Sequence, residues 1–138
     1  ETEIDISSAE SFATAETDEP AHYGSAPRHT LWWTFTPAQN GTLVVDTEGS
    51  VFDTVLAFYS GASLATLERL TVNDSAGDDS MCSRMEYVLV AGVTYHIALD
   101  GYSDSDSGAA FLNWAFTPSA AGDYVVTLTA PEARPSAV

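Results

Sequence analysis

Oxygen ligands are the chemistry this sequence holds in greatest supply. Carboxylates and amides crowd NDSAGDDS at 73–80 and DGYSDSDSG at 100–108, and Asp53 interrupts the apolar run VFDTVLAFY at 51–59. Calcium takes about six to eight oxygens from carboxylates, backbone carbonyls and amide side chains. Asp53, Asn73, Asp74, Asp100 and Asp104 are therefore the candidate metal ligands, with Glu19, Asp78, Asp79 and Asp106 offering the same chemistry, and structural calcium is the cofactor they would hold. An EF-hand is excluded, because DSDSG at 104–108 begins like one but Ala115 stands where its closing Glu belongs. The alternative for any one carboxylate is a solvated surface. Asp53 is a separate case, since a charge in an apolar strand costs free energy unless it is satisfied. It pairs with Arg28, Arg69 or Arg84, bonds a neighbouring loop together with Thr54, or ligates a cation.

Aromatics supply the second chemistry. A flat ring lies well against the apolar face of a sugar while nearby carboxylates and amides bond its hydroxyls, which makes Trp32, Tyr59, Tyr102 and Trp114 the candidate ligand-binding residues. Adjacent strand residues point to opposite faces. Trp32 and Trp33 therefore cannot share a core layer, and Trp32 either faces outward or lies under the N-terminal segment.

Catalysis finds little to work with. The three histidines are His22, His29 and His96; no Gly-x-Ser-x-Gly elbow, HExxH helix or paired cysteines occur. Cys82 is the single cysteine, so no intrachain disulfide forms, and the acidic GDDSM beside it suppresses a thiolate. We expect no enzyme. Twenty acidic residues against four Arg and no Lys leave a net charge of -16, which repels nucleic acid and anionic lipid headgroups. No apolar stretch approaches the ~20 residues that span a bilayer. ETEIDISSAE lacks a basic, apolar leader, the pattern of a mature or excised chain.

The elements that must position these residues are strands. Apolar and polar residues alternate with period two in LWWTFT, TLVVDT, VFDTVLAFY, LERLTVND, MEYVLV, TYHIALD, AAFLNWAFT and DYVVTLTA, with turn residues between them. The expectation is an all-β, antiparallel sandwich of about eight strands, with LWWTFT and TLVVDT forming a hairpin around Pro37 to Gly41. Residues 1–30 read as an N-terminal arm or irregular first layer, with a short helix at 8–16; residues 31–130 form the sandwich and 131–138 a linker or frayed tail. WTFTPAQNGTLVVD at 33–46 also aligns with WAFTPSAAGDYVVT at 114–127, which reads as two hairpins built alike or as the start of a second module.

Several of these motifs recur in order elsewhere. ATAETDEPAHYG (13–24), LWWTFTPAQNGTLVVDT (31–47), SVFDTVLAFYSG (50–61), VND (72–74), SRMEYVLVAGVTYHIALDGY (83–102) and FLNW (111–114) resemble the secreted bacterial pre-peptidase C-terminal domains and, more distantly, the collagen-binding domains of bacterial collagenases. The resemblance implies a jelly-roll-like sandwich appended to other domains of an exported, extracellular or cell-surface polypeptide, with the activity elsewhere. It departs from the pattern at Asn73-Asp74-Ser75, where an Asp pair often follows Asn. The resulting expectation is a monomeric accessory module that binds polysaccharide and is stabilised by calcium. Its alternatives are an adhesin, a module for a collagen-like protein polymer, or a spacer without ligand.

Overall fold

The computed structural model describes residues 4–5, 13–24, 26–77 and 80–120. Eight strands occur in them: β1 (Ile4–Asp5), β2 (Leu31–Phe35), β3 (Gly41–Asp46), β4 (Thr54–Ser60), β5 (Glu68–Asn73), β6 (Arg84–Leu89), β7 (Tyr95–Gly101) and β8 (Phe111–Pro118), with one 3-10 turn at Leu64–Thr66. Two four-stranded antiparallel sheets result, ordered β1-β8-β3-β6 and β2-β7-β4-β5. The pairings nest, first strand with last: β1 with β8, β2 with β7, β3 with β6 and β4 with β5. That nesting is one long hairpin rolled over on itself, the jelly roll.

The alternation that marks each strand also builds the core. Trp33 and Phe35, Leu43 and Val45, Leu56 and Phe58, Met85 and Leu89, Tyr95, Ile97 and Leu99, and Leu112, Trp114 and Phe116 all contribute to one cluster between the sheets. Phe58 stacks on Tyr95 at 5.5 Å between ring centroids. At one end of the sandwich, buried hydroxyls replace apolar contacts. Thr47 and Thr54 share a bond of 2.6 Å between their Oγ1 atoms, and the Ser83 hydroxyl donates to the Thr54 carbonyl at 2.6 Å. This network ties β3, β4 and β6 together just beyond Asp53.

Three local expectations are corrected. β2 and β3 do not form a hairpin: they lie in opposite sheets, and the turn between them crosses the sandwich. Alternation states which side chains face the core, and a strand facing it from above or below shows the same pattern. The crossing turn is held by its counterpart between β6 and β7, where Gly92 N donates to Pro37 O and Ala91 N to Asn40 Oδ1, each at 2.8 Å. β4 is not covered on one face alone, as a period-two strand of a two-layer sandwich would be, since Val55, Ala57 and Tyr59 on its second face are 3%, 0% and 1% exposed. Finally, residues 13–16 are not helical. The rest of the expected helix, Asp78 and Asp79, the whole strand expected at DYVVTLTA, and the tail at 131–138 fall outside the described residues.

Candidate functional site

The second face of β4 is buried because the segment before β2 lies across it as a third layer. Small side chains make room at Ala57 and Ala98, which with Tyr59 form a second buried cluster against which Trp32, Leu67 and Val72 pack. Polar bonds clasp this layer to the sheet. His29 N and Arg28 N donate to the Asp100 carboxylate at 3.0 and 2.9 Å, and Arg69 reaches the His22 carbonyl at 2.7 Å. The Glu19 side chain is fully buried. Its carboxylate accepts from Glu16 N at 2.8 Å, from the Trp32 indole Nε1 at 3.1 Å and from His22 Nε2 at 3.0 Å. With Nε2 donating, His22 Nδ1 is left to accept the Tyr59 hydroxyl at 2.7 Å. Burial pushes the Tyr59 phenol up to about 12.

This clasp orients Trp32, and a groove opens beside it on the outer face of the β2-β7-β4-β5 sheet. The register pairs Trp32 with Ala98 and Thr34 with His96, so Trp32 and His96 are diagonal neighbours on one face. A cavity of about 220 Å³ is lined by Trp32, Glu16, His96, Leu64 and Leu67. A second, of about 400 Å³, shares His96 and adds Thr94, Val93, Gly61 and Ala62. His96 Nε2 donates to the Gly61 carbonyl at 2.9 Å, which leaves Nδ1 of the neutral ring as an acceptor. Gly61 holds φ 136, and a Cβ there would meet the Thr66 carbonyl oxygen at 2.6 Å, so the turn closing the groove requires glycine.

The other expected ligand-binding residues are not brought to this groove as platforms. Tyr59 is 1% exposed, beneath His22 and Trp32, and offers no face to a ligand. Trp114 points between the sheets against Phe35, with centroids 5.9 Å apart. It lines a mostly apolar cleft of about 210 Å³ with Trp33, Thr34, Phe35, Leu43, Ile97 and Leu112, where most sugar hydroxyls would lose water without replacement. Tyr102 is exposed, and it lies 6.2 Å from Tyr23 at the loop end of the sandwich.

That loop end also holds the expected metal ligands, and they divide by role. Asp100, 3% exposed, is engaged with the backbone amides of 28, 29 and 101. Asn73 Oδ1 accepts from Arg84 N, and Asp104 pairs with Arg28 at 2.6 Å. The five residues thus do not converge, because three of them hold loop backbone or an arginine, and among the described residues no group of three or more His, Cys, Asp or Glu is gathered as a metal site. Asp53 remains without an arginine partner at Oδ1, which is buried and has no hydrogen-bond partner. Its pKa is raised by burial and then by the charges of Asp106 and Asp74. Tyr23 is also raised, by the charge of Asp74 and a hydrogen bond to it.

No family model matches the chain, and no curated protein matches it. The resemblance to pre-peptidase C-terminal domains accordingly stays a likeness of motifs. Among solved structures, the chain is similar to a family 35 carbohydrate binding module from an environmental isolate, at 12% identity and a TM-score of 0.41, over 88% of this chain and 99% of that one. A likeness at this level carries nothing about ligand. Among the described residues, no helix is long and apolar enough to cross a membrane.

Glu16, Leu64, Leu67 and Thr94 are groove residues that the sequence reading missed. Thr94 and His96 carry a signal in the alternation, which turns both away from the core. The other three owe their place to the buried layer and to the turn after β4, for which no sequence pattern speaks.

Proposed function

We propose that this chain is a non-catalytic accessory module of an exported polypeptide and that it binds polysaccharide in the groove beside Trp32. The observation that carries the reading is the clasped indole. Its N–H is taken by the buried Glu19, so the ring is held as an apolar wall, with Glu16 and the His96 imidazole placed to bond hydroxyls beside it. An aromatic wall with few convergent polar groups is the usual build of a small-ligand site. The likeness of its ordered motifs to those of appended bacterial domains favours the accessory, extracellular role.

The test is retention on insoluble neutral glycans, anionic glycans and collagen, each with calcium and with chelator. Neutral glycan should retain the parent. Trp32→Ala should lose retention, and Glu16→Gln, whose side chain is exposed and whose backbone bond to Glu19 is untouched, should weaken it without change in circular dichroism. Retention on collagen alone, or on a glycan with Trp32→Ala folded and binding as the parent does, would overturn the reading.

Calcium is a second reading, which Asp53 favours. A cation at its unpartnered Oδ1 would satisfy that atom and offset the repulsion from Asp74 and Asp106. Of the five ligands expected from sequence, only Asp53 and Asp74 belong to this subset.

A further inference from the structure

Beyond Trp32 the outer face of β2 changes character. Thr34 and Thr36 follow the indole on the same face, and both are exposed. Across the ladder Thr34 lies opposite His96, and Thr36 shares a hydroxyl bond of 2.9 Å with Thr94. The buried layer that clasps the sheet at Ala57, Ala98 and Tyr59 therefore gives way to a strip of hydroxyls and an imidazole. At about 3.4 Å per residue, positions 32 to 36 span roughly 14 Å, longer than one sugar ring. The two cavities meet at His96, and Thr94 lines the second beside it. The far end is formed by the exposed Ala62 and by Val93, which is 38% exposed. Apolar surface thus occurs at both ends, with hydrogen-bonding groups between. Among the lining residues Glu16 alone carries a full charge, and the chain around them has a net charge of -16.

We infer that the groove holds an internal stretch of a linear neutral polysaccharide at two or more consecutive sugar positions, one against Trp32 and the next over His96 and Thr94. The inference rests on the glycan reading above and adds the ligand's length, linearity and charge. Alternating sugar faces and hydroxyls match alternating apolar and polar lining. A uronate-rich or sulfated chain meets Glu16 and a repulsive field.

The experiment is calorimetric titration with gluco-, manno- and xylo-oligosaccharides from one to six units, using the whole chain. In at least one series the affinity should rise by about tenfold or more from the monosaccharide to the tetrasaccharide. Ala62→Trp places bulk in an exposed turn at the far end. It should bring the long oligosaccharides down to the affinity of the short ones while leaving the melting temperature unchanged. Length-independent binding would overturn the inference while leaving the glycan reading standing, as would an unchanged series in Ala62→Trp. A parent that is retained on no glycan and binds no oligosaccharide removes both.

Discussion

Tyr59→Phe removes one oxygen from the centre of the clasp and alters neither volume nor formal charge. The hydroxyl it deletes is buried and donates at 2.7 Å to His22 Nδ1, while His22 is itself 2% exposed and bonded at Nε2. Nδ1 then becomes an acceptor without a partner, in a place where water has no access. Leaving a buried acceptor unsatisfied costs about 1–3 kcal/mol. For a chain of this length, each kcal/mol moves the melting temperature by roughly 3–5 °C, so the variant should melt about 3–15 °C below the parent at neutral pH. The same phenol gives the effect a pH signature. Its pKa is raised from 10.0 to about 12 by burial, so between those values the unfolded state has released the proton while the folded state retains it. The unfolded state binds fewer protons there, and the parent's stability falls as pH climbs from 10 to about 12. Phenylalanine has nothing to release, so the gap between parent and variant is widest below pH 10 and narrows above it. Calorimetric melting across this range measures the gap, and ultraviolet titration should show one late-ionising tyrosine that the variant lacks. Equal melting temperatures at neutral pH, or a gap that stays constant up to pH 12, would refute the account of the clasp.

Glu19→Ala strips the acceptor from three donors, Glu16 N, His22 Nε2 and Trp32 Nε1. It should cost about 2–4 kcal/mol, and because the indole is no longer held, glycan retention should fall with it; retention equal to the parent's in the folded variant would separate Trp32 from the site. Asp53 carries a raised pKa, so its ionised form opposes folding above the folded-state value, and the opposition fades as pH falls from there towards the unfolded-state value of 3.8. In chelator, Asp53→Asn should therefore melt above the parent at neutral pH, with the difference closing in acid. Calcium at a hundred times its dissociation constant should raise the parent by about 2.7 kcal/mol and leave the Asn variant unmoved. An equal response from both would dismiss calcium at Asp53.

The β-sandwich was legible because its strands, β1 apart, announce themselves locally. Leu43 and Val45, or Tyr95, Ile97 and Leu99, alternate with polar neighbours, and the turns between strands carry Pro, Gly and Asn. The candidate site was legible only in fragments. Trp32 was singled out as a residue that must leave the core layer of Trp33, and Tyr102 as an aromatic in an acidic loop. Tyr59 and Trp114 looked equivalent to them in sequence, yet one lies beneath the clasp and the other between the sheets. Asp100 looked like a cation ligand, but its acceptors serve the amides of residues 28 and 29, some 70 positions away.

The sequence by itself determined the strand class, the faces that meet the core, the excess of negative charge and the lack of a nucleophile's surroundings. These are properties of neighbours along the chain, set by the two-residue period of an extended backbone and by side-chain chemistry. Only the tertiary structure decided which strands pair, that the turn after β2 crosses to the opposite sheet, and that the segment before β2 buries the outer face of β4. It also decided that Glu16, Trp32, Leu64, Leu67 and His96 line one cavity. Those outcomes depend on contacts between residues far apart in the chain. A period of two records that a side chain is turned from the core, and it is blind to whether water, another layer or a groove lies there.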